Sequence, residues 1–116
     1  MAIANTRLTT TALTTVYTSS GNNAITTIIV CNTGTVDLTN ETTRASDLDL
    51  YLVPSGGGGG TEATRIVSKL TIPAGETVFF SEERVVLSTG DTVQAQASST
   101  GGVGGLLTIT VSTLPV

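Results

Sequence analysis

The chain has 116 residues, with 5 basic and 9 acidic side chains, a net charge of −4, one Cys and neither His nor Trp. That is the length of one small domain, able to hide roughly two thirds of its unfolded surface without metals or disulfides. The acidic balance excludes a phosphate-backbone binder, because Arg7, Arg44, Arg65, Lys69 and Arg84 are too scattered to gather on one face.

Residues 1–11 read as an N-terminal arm, with 12–116 as the domain. The arm is almost uncharged and holds Ile3 and Leu8 with nothing local to bury them, so it is expected to lie on a neighbouring subunit. Its opening lacks the basic and apolar segments of a secretory leader. Strand-like segments then recur at Ala12–Thr18, Ala24–Asn32, Leu48–Val53, Arg65–Ile72, Thr77–Phe80, Val85–Leu87, Thr92–Ala97 and Leu106–Ser112. Turn-forming runs separate them, including Pro73-Ala74-Gly75-Glu76 and Ser88-Thr89-Gly90-Asp91, where Gly supplies the positive dihedral. The residues from Ile25 to Cys31 read as a central strand, and Glu62–Lys69 leaves room for one helical turn.

Charged residues make up 12% of the chain and Thr occupies 24 positions. Thr is β-branched, which favours strands over helices. With about eight short strands and no helical periodicity, the fold class is all-β: a single antiparallel β-sandwich, jelly-roll or Greek-key like. Period two predicts that Leu48, Leu50, Leu52, Val93, Ala95, Leu107, Ile109 and Val111 form the core. The same alternation turns Asp49, Tyr51, Gln94, Gln96, Thr108 and Thr110 outward.

Little here carries chemistry. The run Gly56–Gly60 is followed by Thr61 and Glu62 where a phosphate loop needs Lys and Ser or Thr, so it reads as a mobile connection, as does Gly101–Gly105. A His-based triad cannot be assembled, Lys69 is the one Lys, and Cys31 reads as a core thiol inside an apolar strand. Asp47, Asp49, Glu82 and Glu83 could furnish a glycosidase pair, but four aromatics cannot build the cleft. Asp37, Glu41, Asp47 and Asp49 match no calcium loop, and Asn40-Glu41-Thr42 is a glycosylation sequon without a secretory context. The expectation is a non-enzymatic chain with no catalytic, cofactor-binding or metal-binding residue and no cofactor. No segment is long and apolar enough to cross a membrane.

The order of segments carries a resemblance. Val16-Tyr17-Thr18, the run from Ala24 to Gly34, Leu70 to Thr77, Val86 to Val93 and the closing Leu107 to Val111 together resemble the small β-sandwich virion proteins of tailed bacteriophages. The Thr-rich opening looks like those of phages infecting cyanobacteria. The resemblance spans most of the chain from Val16 to Val111. It implies a virion location and a structural role, foremost as a capsid decoration (cement) protein. It also implies partners among other virion structural proteins, namely the major capsid protein or tail proteins, and a homo-oligomer, with no nucleic acid and no membrane. The alternative is a neck, tail, baseplate or fibre component, in its fibre form a host-surface carbohydrate-binding module with Tyr17 and Tyr51 as exposed aromatics.

Overall fold

Alternating short strands leave each segment with one apolar face to hide, and two sheets pressed together hide both. The computed structural model describes residues 2–8, 12–33, 46–81, 85–99 and 107–116. Its strands are β1 (Ala2–Arg7), β2 (Thr14–Thr18), β3 (Asn23–Asn32), β4 (Ser46–Val53), β5 (Arg65–Ile72), β6 (Thr77–Phe80), β7 (Val85–Leu87), β8 (Thr92–Ser99) and β9 (Leu107–Pro115). The first sheet runs β1-β9-β3-β6, with β7 also paired to β3, and the second runs β2-β8-β4-β5. Every pairing is antiparallel.

β6 and β7 lie end to end along β3, facing Ile28–Cys31 and Asn23–Ile25 respectively. Counted as one interrupted strand, they leave eight strands in two four-stranded sheets with the connectivity of a jelly roll. The fold is thus an all-β, antiparallel β-sandwich, as the alternation indicates.

The register fixes the faces. In the first sheet Ala4, Val111, Ile28 and Phe80 stand in one inward row, and Thr6, Ile109, Val30 and Val78 in the next. From the second sheet Leu48, Leu50, Val93, Ala95 and Ala97 meet them, and all five are buried. Of the eight residues assigned to the core, seven are buried, while Leu52 is half-buried and packs against that core. Two buried asparagines tie the ends. Asn32 Nδ2 donates to the Ile72 carbonyl at 2.8 Å, joining the two sheets, and Asn23 Nδ2 donates to Ser19 Oγ at 3.0 Å. Both turns behave as the sequence indicates: Glu76 N donates to Pro73 O and Asp91 N to Ser88 O, with Gly75 at φ 80° and Gly90 at φ 91°.

Ala2–Arg7 pairs along its whole length with β9 of the same chain, where the sequence reads as an arm on a neighbour. Leu8 extends that pairing through a 2.9 Å bond to the Leu107 carbonyl and is buried in the core, whereas Ile3 is exposed. The segment at Glu62–Lys69 is a turn closed by Thr64 N on Thr61 O and then strand β5, with no helical turn.

Candidate functional site

Three features outside the core can bear function: the outer face of the second sheet, the open edge of the sandwich, and the outer face of the first sheet. Taken in that order, they run from the most enclosed to the most exposed.

Alternation sends Asp49, Tyr51, Gln94 and Gln96 to the outer face of the second sheet, but that face is not in water. Asp49, Tyr51 and Gln94 are buried and Gln96 is half-buried, while Thr108 and Thr110 on the first sheet are also half-buried. The expected outward exposure is therefore corrected for Asp49, Tyr51 and Gln94. For Tyr51 and Gln94 the cause is the segment 54–64, which folds back over β4 and β8, and for Asp49 it is Lys69 and Arg65 of β5. Gly60 N donates to Gln94 Oε1 at 2.9 Å, and Gln94 Nε2 donates to the Gly58 carbonyl at 3.2 Å. Asp91 anchors the start of the loop by accepting from Ser55 N at 2.8 Å and from Ser88 N at 2.9 Å, and those two bonds hold its carboxyl below the usual range.

The glycine run is thus a docked cover and not a free tether. A Cβ on Gly60 would stand 2.7 Å from two Tyr51 ring atoms and 3.1 Å from its Cβ. Gly60→Ala is expected to cost about 1–3 kcal/mol, because a buried ring cannot yield. Gly59→Ala, whose Cβ would meet Leu13 at an ordinary 3.6 Å, should leave thermal unfolding nearly unchanged. Equal melting shifts in the two variants would remove the close-contact explanation.

Asp49 sits opposite a defect in β5. Its neighbours Leu48 and Leu50 pair with Leu70 and Val67, so β5 carries an extra residue at this level, and Lys69 there has φ 51°. A bulge residue in the left-handed region turns its N–H away from the ladder. Lys69 N donates to Asp49 Oδ1 and Lys69 Nζ to Asp49 Oδ2, both at 2.9 Å. Arg65 Nε lies 4.0 Å from Asp49 Oδ1, its Nη2 donates to Tyr51 Oη at 3.1 Å, and its guanidinium stands 5.3 Å from the Tyr51 ring centroid. Burial pushes the Asp49 carboxyl up, but the Lys69 N–H and ammonium together with the Arg65 charge outweigh it, and its pKa lies below the ordinary value.

Chemically this cluster is closed. The carboxylate is saturated by its own bulge and has no open approach, so it serves neither a glycosidase pair nor a cation site. Asp47 accepts from Thr71 Oγ1 at 2.7 Å. Glu82, Glu83, Asp37, Glu41, Asn40–Thr42 and Gly101–Gly105 lie outside the described residues. Among the described residues no three His, Cys, Asp or Glu side chains group as metal ligands. Tyr51 lies beneath Gly60 and Tyr17 packs against the core, so neither is an open aromatic platform.

At the sandwich edge, between β5 and the β6–β7 line, opens a cavity of about 370 Å³ lined by Ile25, Ile28, Leu50, Ile66, Phe80 and Val85 among others. Its described lining includes no titratable side chain.

The outer face of the first sheet follows from the register. Arg7, Thr108, Cys31 and Thr77 form one row, then Asn5, Thr110, Ile29 and Phe79, then Ile3, Ser112 and Thr27. Beyond the Thr26 bulge, Leu114, Ala24 and Val86 close the face. Cys31 is a half-buried free thiol on this outer face and not a core group, which corrects the sequence reading. Phe79 is 63% exposed here, an aromatic the sequence reading left unused. The period-two position of Phe79, opposite to Phe80, is the signal that finds it.

No helix among the described residues is long and apolar enough to cross a membrane. Comparison with family models and with curated proteins matches none of them to this chain.

Proposed function

We propose that the protein is a non-enzymatic virion structural protein, foremost a capsid decoration (cement) protein of a tailed bacteriophage. The observation that carries this reading is the contrast between the two outer faces. On the second sheet the buried carboxylate Asp49 is engaged by Lys69 and Arg65, and the amide of Gln94 is engaged by the glycine loop. Among the described residues the outer face of the first sheet instead presents Arg7 as its one charged side chain and Cys31 as its one thiol. A rigid domain whose free surface is a broad neutral sheet serves contact and not turnover.

Two further lines support it. The ordered segments from Val16 to Val111 resemble virion proteins, and the jelly-roll connectivity recurs in viral capsid domains, a fold-level analogy. Recognition of host carbohydrate ranks below this, since Tyr17 and Tyr51 are both committed to packing.

The test is mass spectrometry and symmetry-resolved reconstruction of particles made by the genome that encodes the chain. The expected result is many symmetric copies on the capsid shell. Copies restricted to the neck, tail or fibre would move the assignment along the virion, and absence from particles would refute it.

A further inference from the structure

We propose that the outer face of the first sheet is a self-association surface, and that its occupant is a second copy of this chain packed sheet against sheet. Four of the six exposed large hydrophobics among the described residues lie on it: Ile3, Phe79, Val86 and Leu114. They sit on both sides of a middle built from Thr, Ser and Ile29, so the face is apolar at its margins and uncharged at its centre. Such a surface, left in water, is where a partner belongs.

Charge selects the partner. Each copy carries −4 overall, yet the described carboxylates Asp47, Asp49, Glu62, Glu76 and Asp91 all lie on the second sheet, its covering loop or turns. Arg7 is the one described charge on this face, at its corner. By the described charges, two copies approach with little repulsion through this face, whereas a charged partner would bury its own charges without counter-ions. A neutral face rich in Thr, Ile and Phe is matched by another like it, and the two-fold arrangement of identical patches supplies that match.

The area suffices. With strands about 4.8 Å apart and about 3.3 Å per residue, the strands β1, β9, β3, β6 and β7 cover roughly 500 Å², so two copies bury about 1,000 Å². That meets the area of about 1,000 Å² that a specific interface needs and places the dimer among weaker, concentration-dependent ones.

The inference stands apart from the virion reading, since it concerns the chain alone. Sedimentation equilibrium of the full chain over a wide concentration range should give twice the mass of one chain. Ile3→Glu and Phe79→Glu, each at an exposed position, should return it to one copy that melts like the wild type diluted below its dimerisation range, while Thr15→Glu on the other sheet should leave the dimer intact. Cys31 provides a readout that needs no substitution. As the sole Cys, half-buried on this face, it should lose several-fold in maleimide labelling rate as concentration rises through the dimerisation range. A dimer that leaves Cys31 labelling unchanged, or survives both Glu substitutions, is held elsewhere and overturns the proposal. So does a chain that stays monomeric throughout, including one whose Cys31 is protected only in assembled particles, which would assign the face to a shell protein.

Discussion

Ile109→Ala is expected to destabilise the domain by about 2–5 kcal/mol, seen as a fall in melting temperature on the order of 10 °C. Ile109 is fully buried and stands between Thr6 of β1 and Val30 of β3, at the centre of the inward row that faces the second sheet. Removing three carbons there leaves a void that antiparallel neighbours on both sides hold open, because neither ladder can shift without slipping its own register. Leu50→Ala should behave alike from the opposite sheet. Thr108→Ala, one residue away but on the outer face, should cost well under about 1 kcal/mol. Chemical denaturation of the three variants checks the ordering, and comparable losses for Thr108 and Ile109 would invert the faces of β9.

Asp49→Ala should cost about 2–4 kcal/mol at neutral pH, because it strips the acceptor from the Lys69 N–H within the bulge and a counter-charge from Arg65. The Asp49 side chain is 1% exposed, whereas Lys69 is 58% exposed and can return its ammonium to water, which keeps the loss below that of a fully interior pair. Asp49→Asn retains an acceptor oxygen and should lose less. The pH dependence has a definite sign. Since the folded carboxyl titrates below its unfolded value of about 3.9, its contribution is complete above that pH and is lost as pH falls through the folded pKa. The stability gap between the wild type and Asp49→Asn should therefore be widest near neutrality and close in acid. A gap constant from pH 7 down to pH 2 would mean that the charge of Asp49 does not stabilise the fold.

Much of the sandwich was legible because period two is a strong signal where large apolar residues point inward. Leu48, Leu50, Val93, Ala95, Leu107, Ile109 and Val111 all follow it into the core. β1 escaped because its pattern is inverted: the inward positions Ala4 and Thr6 are small, and the one large apolar residue among its six, Ile3, faces out. Without a bulky inward series, six residues of weak alternation look like an arm. The buried state of Asp49, Tyr51 and Gln94 escaped for another reason. Alternation says which face a side chain takes and nothing about what covers that face. The usable signal lay in the next segments, where five glycines permit a backbone to approach a sheet closely, and where Arg65 and Lys69 bring two cations to the neighbouring strand. The half-buried thiol of Cys31 shows the same limit, since an unbroken apolar run such as Ile28 to Cys31 hides its own period.

The docked glycine loop makes the molecule one-sided. A sandwich with two bare outer sheets could stack on itself without end, each copy offering a fresh surface to the next, which is the route to layered fibres. Here the loop from Pro54 to Thr64 roofs part of one side, over Tyr51 and Gln94, and is fastened by hydrogen bonds to Gln94 and Asp91. Pairing through the remaining flat side then exhausts the adhesive surface and ends at two copies. Peeling the roof back with a bulky residue at Gly60 would bare the Tyr51 ring beside the Asp49, Lys69 and Arg65 charges, so its first visible consequence is expected to be a solvent-exposed Tyr51 with the two-copy limit unchanged.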